Sequence, residues 1–525
     1  MILAWALALA ILALLIYGFH PGDRWRLRRI PGPRQYWMIG NLLDFAKEGD
    51  HNYFNRLHKQ YGSIFKVWIL GSNVVVATPE LCRQICLHNS SRLQMPNLYY
   101  GKYWDFDNAI ILWLKGERAR TVRSAWHPMF YSGTLEGIVG LMHQAADSAV
   151  QRLSAAAKSK DPIDVSVVLS QMSLQVIAQA AFGIDVSNPD AVLREFDGKP
   201  YTVSQLIADI RTAFRTTSNS KCQYTQLSLL FPFAVPLWRW LANILPSESH
   251  AAALDLRNRM IPYVEGLIKD HAAVVKEQDD IIKTLNPTGD GKERRGVAAG
   301  SFLDILVRTK HKSSGASLTD IEICNQAFAM LMVGLETTSS ALAFATYFLA
   351  QNPDKAEKLA AEIRSQPDNP GYSDLTEGFP YTEAVIREAI RLYPPGSYVI
   401  RAAEKDMQLG GYKVQKNQLL IGAIYAIHHD ASVWPDPEAF IPERHLSADA
   451  VGAPTQPHAW LGFGEGARNC VGGRLAMLEA KLALVHLFRH HSYRLTPGQV
   501  PLEIVTTLTL GPKNGVWVTV HGPTW

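Results

Sequence analysis

A glycine-rich segment around Cys470 contains residue types that could hold a thiolate against a metal. The segment reads FGEGARNCVG over residues 463–472 and leads into an apolar stretch with helical periodicity. Glycines let the backbone turn tightly enough to aim amide N–H groups at a sulfur, and such hydrogen bonds tune the potential of an iron-bound thiolate. Arg468 adds a fixed cation that can pair with a carboxylate of a ligand. The segment therefore has the groups needed for a metal-bound thiolate with an anion beside it.

Glu336 and Thr337 form a second group of chemically active side chains, in the middle of a long predicted helix. The helix begins with the capping box Thr319-x-x-Glu322 and stops before the Asn352-Pro353 pair. About thirty residues would make it about 45 Å long, enough to cross a domain. Gly334 costs the helix about 1 kcal/mol relative to alanine. Because the acid and the threonines also compete for backbone hydrogen bonds, we expect the helix to be loosened here.

The segment 463–472 matches the pattern F-x-x-G-x-R-x-C-x-G, and on this basis the chain resembles the cytochrome P450 family. The five fixed identities arise by chance about once in ten thousand chains of this length. The resemblance implies a mainly α fold, with a large helical domain and a small β-rich region. It also implies haem b as the cofactor and Cys470 as the axial ligand of its iron. The other cofactor-binding residues implied in this loop are Arg468, Phe463, Gly464 and Gly472.

The resemblance assigns roles to residues outside the loop as well. Glu336 and Thr337 would admit dioxygen and relay protons, and Val333 stands where the family usually has Ala or Gly. Arg123 and Arg401 fit the positions of arginines that bind the haem propionates, although each also has an ordinary surface interpretation. Upstream of Arg123, Ala119 replaces the family's tryptophan, which removes one N–H donor to the haem.

Glu388 and Arg391 share a helix face and resemble the family's buried Glu-x-x-Arg pair. Taken alone, such a pair is usually a solvated contact worth a few tenths of a kcal/mol. In the family an arginine further along completes a triad, and Arg444 occupies that position here. His445 replaces the usual phenylalanine. The resemblance implies a structural role, holding the segment before the cysteine loop.

The N-terminal segment predicts a membrane anchor. Residues 1–19 carry no charge and would reach about 28 Å as a helix, which matches the thickness of a bilayer core. A cleaved signal peptide is disfavoured because no basic residues precede the apolar run. Residues 20–33 follow as a basic, proline-rich elbow, and residues 34–525 form the haem domain. Since arginines follow the anchor immediately, we expect a single-pass protein of the endoplasmic reticulum membrane with a cytosolic catalytic domain.

Periodicity divides the remaining chain into many helices and few strands. A hairpin is predicted over residues 63–77, and two strand segments near the end flank the turn 511–515. The longest helical segments are predicted over 141–156, 169–182, 254–275 and 320–350. An apolar stretch, 229–241, either rests on a membrane or packs in the core. The resemblance places substrate-lining positions at 106–113, 399–400 and 506–507.

Composition and charge limit the partners. The net charge of +4 is too small to indicate nucleic-acid binding, and five scattered cysteines favour a reducing compartment. Cys82 and Cys86 are expected to be inert thiols on one helix face. Only 55 residues follow Cys470, so electrons are expected from a separate NADPH-cytochrome reductase, with a small electron-transfer cytochrome as an alternative or further donor. Candidate basic contacts for that partner are Arg118, Arg120, Arg474 and Lys481.

Three functions fit the sequence. The first is a monooxygenase that uses dioxygen and NADPH-derived electrons to oxidise a lipophilic small molecule. Segments 129–135 and 508–515 also resemble the subgroup that contains thromboxane synthase and plant carlactone-oxidising enzymes, which allows an isomerase that rearranges a peroxide without outside electrons. Retention of Glu336 and Thr337 favours the first, because a proton relay is needed only when dioxygen is reduced. The third is a membrane-tethered haem sensor or carrier.

Overall fold

A computed structural model describes residues 21–523, except 89–109, 270–301, 311–314 and short gaps at 38, 70, 189, 197–198, 218–222, 232–233, 249, 253, 256, 260 and 316. The predicted anchor, residues 1–19, lies outside the described residues, as do most of the predicted substrate-lining segment 106–113 and part of the predicted helix 254–275. Residues 261–269 of that helix are helical.

Helices dominate the described part of the chain, as predicted. They are α1 (Pro21–Arg26), α2 (Leu42–Glu48), α3 (Asp50–Tyr61), α4 (Pro79–His88), α5 (Gly116–Trp126), α6 (Ser132–Ser159), α7 (Val165–Phe182), α8 (Val203–Thr217), α9 (Gln223–Leu230), α10 (Val235–Ile244), α11 (Phe302–Arg308), α12 (Asp320–Gln351), α13 (Pro353–Arg364), α14 (Tyr372–Glu377), α15 (Pro380–Leu392), α16 (Ile424–His428) and α17 (Gly473–His490).

The strands are short and form small sheets. They are β1 (Ile64–Trp68), β2 (Ser72–Val76), β3 (Ile163–Asp164), β4 (Val192–Phe196), β5 (Lys199–Thr202), β6 (Val399–Ala402), β7 (Met407–Leu409), β8 (Tyr412–Val414), β9 (Leu419–Gly422), β10 (Ser492–Leu495), β11 (Ile504–Thr506), β12 (Leu510–Pro512) and β13 (Trp517–His521). The largest sheet has the order β1-β2-β9-β6, and a second has the order β10-β13-β3.

Helix α12 is the central element of the helical domain. The predicted capping box is present: Thr319 Oγ1 accepts from the Glu322 amide at 3.3 Å, and the Glu322 carboxylate accepts from the Thr319 amide at 3.0 Å. By length and composition α12 and α7 could each cross a membrane, but most of their residues are buried inside the protein. Both belong to the main hydrophobic core with α6, α15 and α17, so their apolar character is that of core helices.

The β regions confirm one prediction and correct another. The predicted hairpin is β1 paired antiparallel with β2, and β9 adds to it in parallel. Near the end of the chain, the predicted turn 511–515 does not join two paired strands. Instead β11 pairs with β12 around residues 507–509, while β13 pairs with β10 and β3. The distant strand β3 was not visible as a partner, because two residues carry no alternating pattern.

Candidate active site

The Cys470 loop is closed by backbone hydrogen bonds. The Cys470 amide donates to the Phe463 carbonyl at 2.8 Å. Gly464 and Gly466 adopt φ values of +67° and +76°, which residues with a Cβ rarely adopt. A Cβ on Gly466 would also lie 2.6 Å from the Cys86 carbonyl oxygen of α4. The loop therefore requires these glycines, and it presents an exposed Cys470 just before α17 begins.

Cys470 faces a largely apolar cavity between α12 and α17. Phe463, Gly464, Arg468 and Gly472 of the predicted loop line it as well. Its walls are completed by side chains from several helices and from the start of β6, among them Ile111, Leu112, Phe130, Ile177, Ile386, Ile390 and Val399.

Two arginines, Arg123 and Arg468, line this cavity, and a third, Arg401, lies close enough to Arg468 to affect its charge. Arg123 donates to the Asn469 carbonyl at 3.0 Å and to its side-chain oxygen at 2.6 Å, and Arg468 donates to the Leu114 carbonyl. Burial lowers the pKa of Arg468, and the neighbouring charges of Arg401 and Arg123 lower it further. Arg401 is almost completely buried, and its Nε atom has no hydrogen-bond partner. Like charges held together in this way are suited to bind carboxylates of a ligand.

Trp126 is a site residue that the sequence interpretation missed. It lines the same cavity, and its indole N–H is buried without a hydrogen-bond partner. Trp126 follows Arg123 by three residues on α5, so both lie on one helix face. Ala119, where the family has its tryptophan, is buried in α5. The short spacing between Arg123 and Trp126 was the signal in the sequence that could have identified this residue. Trp126 places an indole N–H three residues after the arginine, whereas the family places one four residues before it.

Helix α12 brings Thr337 to the cavity. Thr337, Gly334 and Val333 line it, whereas Glu336 is half-buried and is not among the described residues that line it. The helix is continuous through Gly334, so the expected loosening is wrong, although Thr337 Oγ1 donates to the Val333 carbonyl at 2.8 Å and Ser339 Oγ to the Glu336 carbonyl at 3.3 Å. A Cβ on Gly334 would lie 2.8 Å from two carbons of Ile177, so the glycine allows α12 to approach α7 closely.

Glu388, Arg391 and Arg444 meet in one buried network. Arg391 donates to both carboxylate oxygens of Glu388, at 2.8 and 3.0 Å, and Arg444 Nε donates to Oε1 at 3.0 Å. His445 Nε2 lies 2.9 Å from Glu388 Oε2, so the histidine adds a polar contact where the family has phenylalanine. Burial alone would raise the pKa of Glu388, but hydrogen bonds from His445 and Arg391 outweigh it and lower the pKa to about 2.

This network connects α15 to the segment before the cysteine loop. Arg391 also donates to the carbonyls of Pro437 and Ala439, and Arg444 donates to the Pro435 carbonyl at 2.9 Å. The Ile441 amide donates to Glu388 Oε1. Charged side chains therefore satisfy several buried backbone carbonyls of an irregular segment, which has no strand or long helix to do so.

Glu479 is a buried acid in α17 that sequence patterns did not single out. It lines the cavity and is almost completely buried, and its Oε1 atom has no hydrogen-bond partner. Burial raises the pKa of Glu479 to about 8. The carboxyl group is therefore protonated at neutral pH.

The structure corrects one of the four basic residues predicted to contact a reductase. Lys481 is buried, pairs with Glu383 at 2.6 Å and donates to the Leu375 carbonyl, so it cannot face a protein partner. Arg118 is exposed and pairs with Glu322 at 3.2 Å, and Arg120 is exposed. Arg474 donates to the hydroxyls of Ser132 and Tyr372. Lys481 was misassigned because α17 is buried on nearly every side and shows no polar stripe.

Only some of the predicted substrate-lining positions line the cavity. Val399 and residues 111–112 line the cavity, whereas Thr506 donates to Asp50 and does not line it. In the apolar stretch 229–241, Leu237 and Trp240 of α10 are about half exposed, which excludes ordinary core packing for these two side chains. Cys82 and Cys86 are buried in α4, as expected of inert thiols.

The residues present fit a haem. A cysteine and several glycines line an apolar cavity, as a haem with a thiolate ligand requires. Three arginines and one indole N–H without a hydrogen-bond partner lie close by, and they are suitable donors for the two propionates. These features are those of a haem protein whose iron ligand is a cysteine thiolate.

Comparisons with known proteins agree. The family model for cytochrome P450 matches residues 30–518. Thromboxane-A synthase of Macaca fascicularis is 30% identical over 98% of this chain and 96% of that protein. Cytochrome P450 3A31 of Mesocricetus auratus is 28% identical over 98% of this chain and 95% of that protein. The chain belongs to the cytochrome P450 family and is an enzyme of that family.

Replacing Glu388 with glutamine should strongly destabilise the protein. Two buried guanidinium groups would lose their carboxylate, and we expect the free energy of unfolding to fall by about 3–5 kcal/mol. Glu357→Gln is the matched control, because Glu357 pairs with Arg364 on the exposed face of α13, and such pairs contribute about 0–1 kcal/mol. Urea unfolding of the haem-loaded protein measures both. Equal effects of the two substitutions would contradict a stabilising buried network.

Glu479 should make stability decrease as pH rises. The folded state keeps this proton up to about pH 8, whereas the unfolded chain loses it near the ordinary value of 4.5. The contribution is fully present below pH 4.5 and is lost as pH rises to 8. Glu479→Gln should therefore stabilise the protein increasingly over this window, by about 1.4 kcal/mol per pH unit at most. Urea unfolding at pH 5, 6.5 and 8 tests this, and a difference independent of pH would contradict it.

Proposed function

We propose that this chain is a haem-thiolate monooxygenase that inserts one oxygen atom from dioxygen into a lipophilic small molecule. The single observation that carries the proposal is that Cys470 and Thr337 line the same apolar cavity. Electrons come from NADPH through a separate cytochrome reductase. When bound, the haem supplies the iron at which dioxygen is activated.

Cys470 would hold the iron as a thiolate, and its loop fixes where the sulfur lies. Arg123, Arg468 and Arg401 would bind the propionates, and the Trp126 indole would add an N–H donor. Because these donors come from α5, from β6 and from the cysteine loop itself, three separate elements would hold the haem in place.

Thr337 and Glu336 move the protons. The Thr337 hydroxyl donates to the Val333 carbonyl, which leaves its oxygen lone pairs free to accept a hydrogen bond in the cavity. Glu336, half-buried one residue earlier, is the acid that resupplies the proton. The apolar walls exclude bulk water and select a lipophilic substrate, which Val333 restricts in size above the haem.

Residues 1–19 anchor the protein to the endoplasmic reticulum membrane, residues 20–33 form the elbow, and residues 34–525 form the cytosolic haem domain. The exposed Leu237 and Trp240 of α10 would rest on the same membrane. Arg120, Arg118 and Arg474 remain the proposed basic contacts for the reductase, with a small electron-transfer cytochrome as a possible further donor.

A second candidate function is rearrangement of a peroxide without outside electrons, because relatives named thromboxane-A synthase are as similar to the chain as those named cytochrome P450 3A. An enzyme with this second function would need the thiolate in its cavity but not the proton relay. Thr337 at the cavity favours the monooxygenase.

The function is tested by oxygen-18 incorporation. The full-length protein, incubated with reductase, NADPH, ¹⁸O₂ and a library of lipophilic compounds, should give products that carry one ¹⁸O atom. Cys470→Ala should abolish them together with the thiolate signal of the carbon monoxide difference spectrum, while Cys82→Ala, which removes a buried thiol elsewhere, should retain both. Rearrangement of a peroxide without NADPH or reductase would instead support the isomerase.

Thr337→Ala should uncouple NADPH consumption from product formation. Loss of the hydroxyl removes the oxygen that accepts a hydrogen bond in the cavity, so we expect the product formed per NADPH consumed to fall by about tenfold. Thr337→Ser keeps the hydroxyl and should retain most of the coupling. Hydrogen peroxide release, measured beside product and NADPH, provides the readout. Unchanged coupling in the alanine variant would exclude Thr337 from the relay.

A further inference from the structure

A second cavity, which we call the basic cavity, is lined by side chains from residues 24–37 and from β1 and has no role in the proposed reaction. Its volume is about 520 Å³, and four cationic residues line it: Arg24, Arg28, Arg34 and Lys66. No carboxylate is among the described residues that line it. Asp23, the nearest acid in sequence, pairs with Arg26.

The cations are held in place by the backbone around them. Lys66 Nζ donates to the Leu27 carbonyl at 2.8 Å, and the Lys66 amide donates to the Pro31 carbonyl at 2.8 Å. Asn41 Nδ2 donates to the Arg34 carbonyl at 2.9 Å. Leu27 and Ile30 are buried against β1. The segment that carries the arginines is therefore docked onto the sheet.

Trp68 supplies an independent indication of a ligand. It lines the basic cavity and is 3% exposed, and its indole N–H is buried without a hydrogen-bond partner. Its position is fixed by Asn41, which bonds the Trp68 amide and carbonyl at 3.0 and 2.7 Å. A buried N–H donor beside like charges lacks an acceptor, and an anion would provide one.

Electrostatics supports an anionic ligand. Burial lowers the pKa of Lys66, and the charge of Arg24 lowers it further. A bound anion would offset both effects, because it would place a negative charge between cations that now repel each other. An oxyanion that accepts from several donors at once suits this arrangement.

The surroundings indicate where the anion comes from. Trp25, Tyr36 and Trp37 are about half exposed or more around the basic cavity, and such amphipathic rings are typical of a membrane–water interface. The uncharged residues 1–19 directly precede this region in the sequence. Basic clusters beside an apolar segment attract anionic headgroups.

We propose that the basic cavity binds the phosphate of an anionic phospholipid headgroup, with Lys66, Arg34 and the Trp68 indole N–H as its donors. The site is separate from the haem cavity and does not depend on the reaction. Occupation would set the angle at which the haem domain rests on the membrane, because the donors belong both to β1 and to Arg34, the residue that directly follows the elbow.

The test is native mass spectrometry of the full-length, haem-loaded protein released from zwitterionic detergent micelles. With dioctanoyl phosphatidic acid, we expect one retained lipid per chain, and with dioctanoyl phosphatidylcholine none. Lys66→Gln and Trp68→Phe should each reduce retention about tenfold, the latter because phenylalanine has no N–H donor. Arg494→Gln removes an exposed arginine on β10 and should change nothing.

The possible results separate the alternatives. Equal retention in Lys66→Gln, Trp68→Phe and Arg494→Gln would overturn the site, as would no retention in the unaltered protein. Displacement of the lipid by an equal concentration of inorganic phosphate would identify free phosphate as the ligand and overturn the lipid source. The carbon monoxide difference spectrum, recorded on the same samples, shows whether a variant has kept its haem site, so that failure here is distinguishable from failure of the proposed function.

Discussion

The position of the Cys470 sulfur depends on a loop that only a few residue types can form. The bond from the Cys470 amide to the Phe463 carbonyl closes the loop, and Gly464 and Gly466 take the left-handed conformations that allow it. The loop rests against α4, where a side chain at position 466 would meet the Cys86 carbonyl. The loop also delivers Arg468, so the proposed iron ligand and a proposed propionate donor are positioned by the same backbone. Any displacement of this loop would therefore move both.

The buried charges of the Glu388 network explain how the chain reaches this loop in a fixed position. The segment between α16 and the loop has little regular structure, so its carbonyls need partners from side chains. Arg391 and Arg444 supply them, and Glu388 offsets their charge. Burying three ionised groups is costly, and such a network adds less to stability than an apolar core of the same volume would. The network instead fixes the position of the segment, because each guanidinium group holds several backbone atoms at once.

The sequence predicted what local patterns determine and missed what depends on distant contacts. The capping box at Thr319, the hairpin of β1 and β2 and the glycine loop follow from neighbouring residues, and the structure contains all three. The faces of α17 could not be predicted, because apolar neighbours cover it on nearly every side. Lys481 was therefore assigned to the surface, and the buried Glu479 was overlooked. Trp126 was missed because its donor lies on the far side of Arg123 from the position the family pattern uses.

The same physical signature occurs twice in the described part of this protein. At the haem cavity, arginines converge beside Trp126, whose buried indole N–H lacks an acceptor, and the family to which the chain belongs supplies the explanation as the propionates of haem. At the basic cavity, arginines and Lys66 converge beside Trp68, whose buried indole N–H also lacks an acceptor. A buried donor without an acceptor and like charges held close together both cost free energy in the folded protein, and an oxyanion removes both costs together. Because the first instance corresponds to an anionic ligand of the family, the second is best explained by one as well.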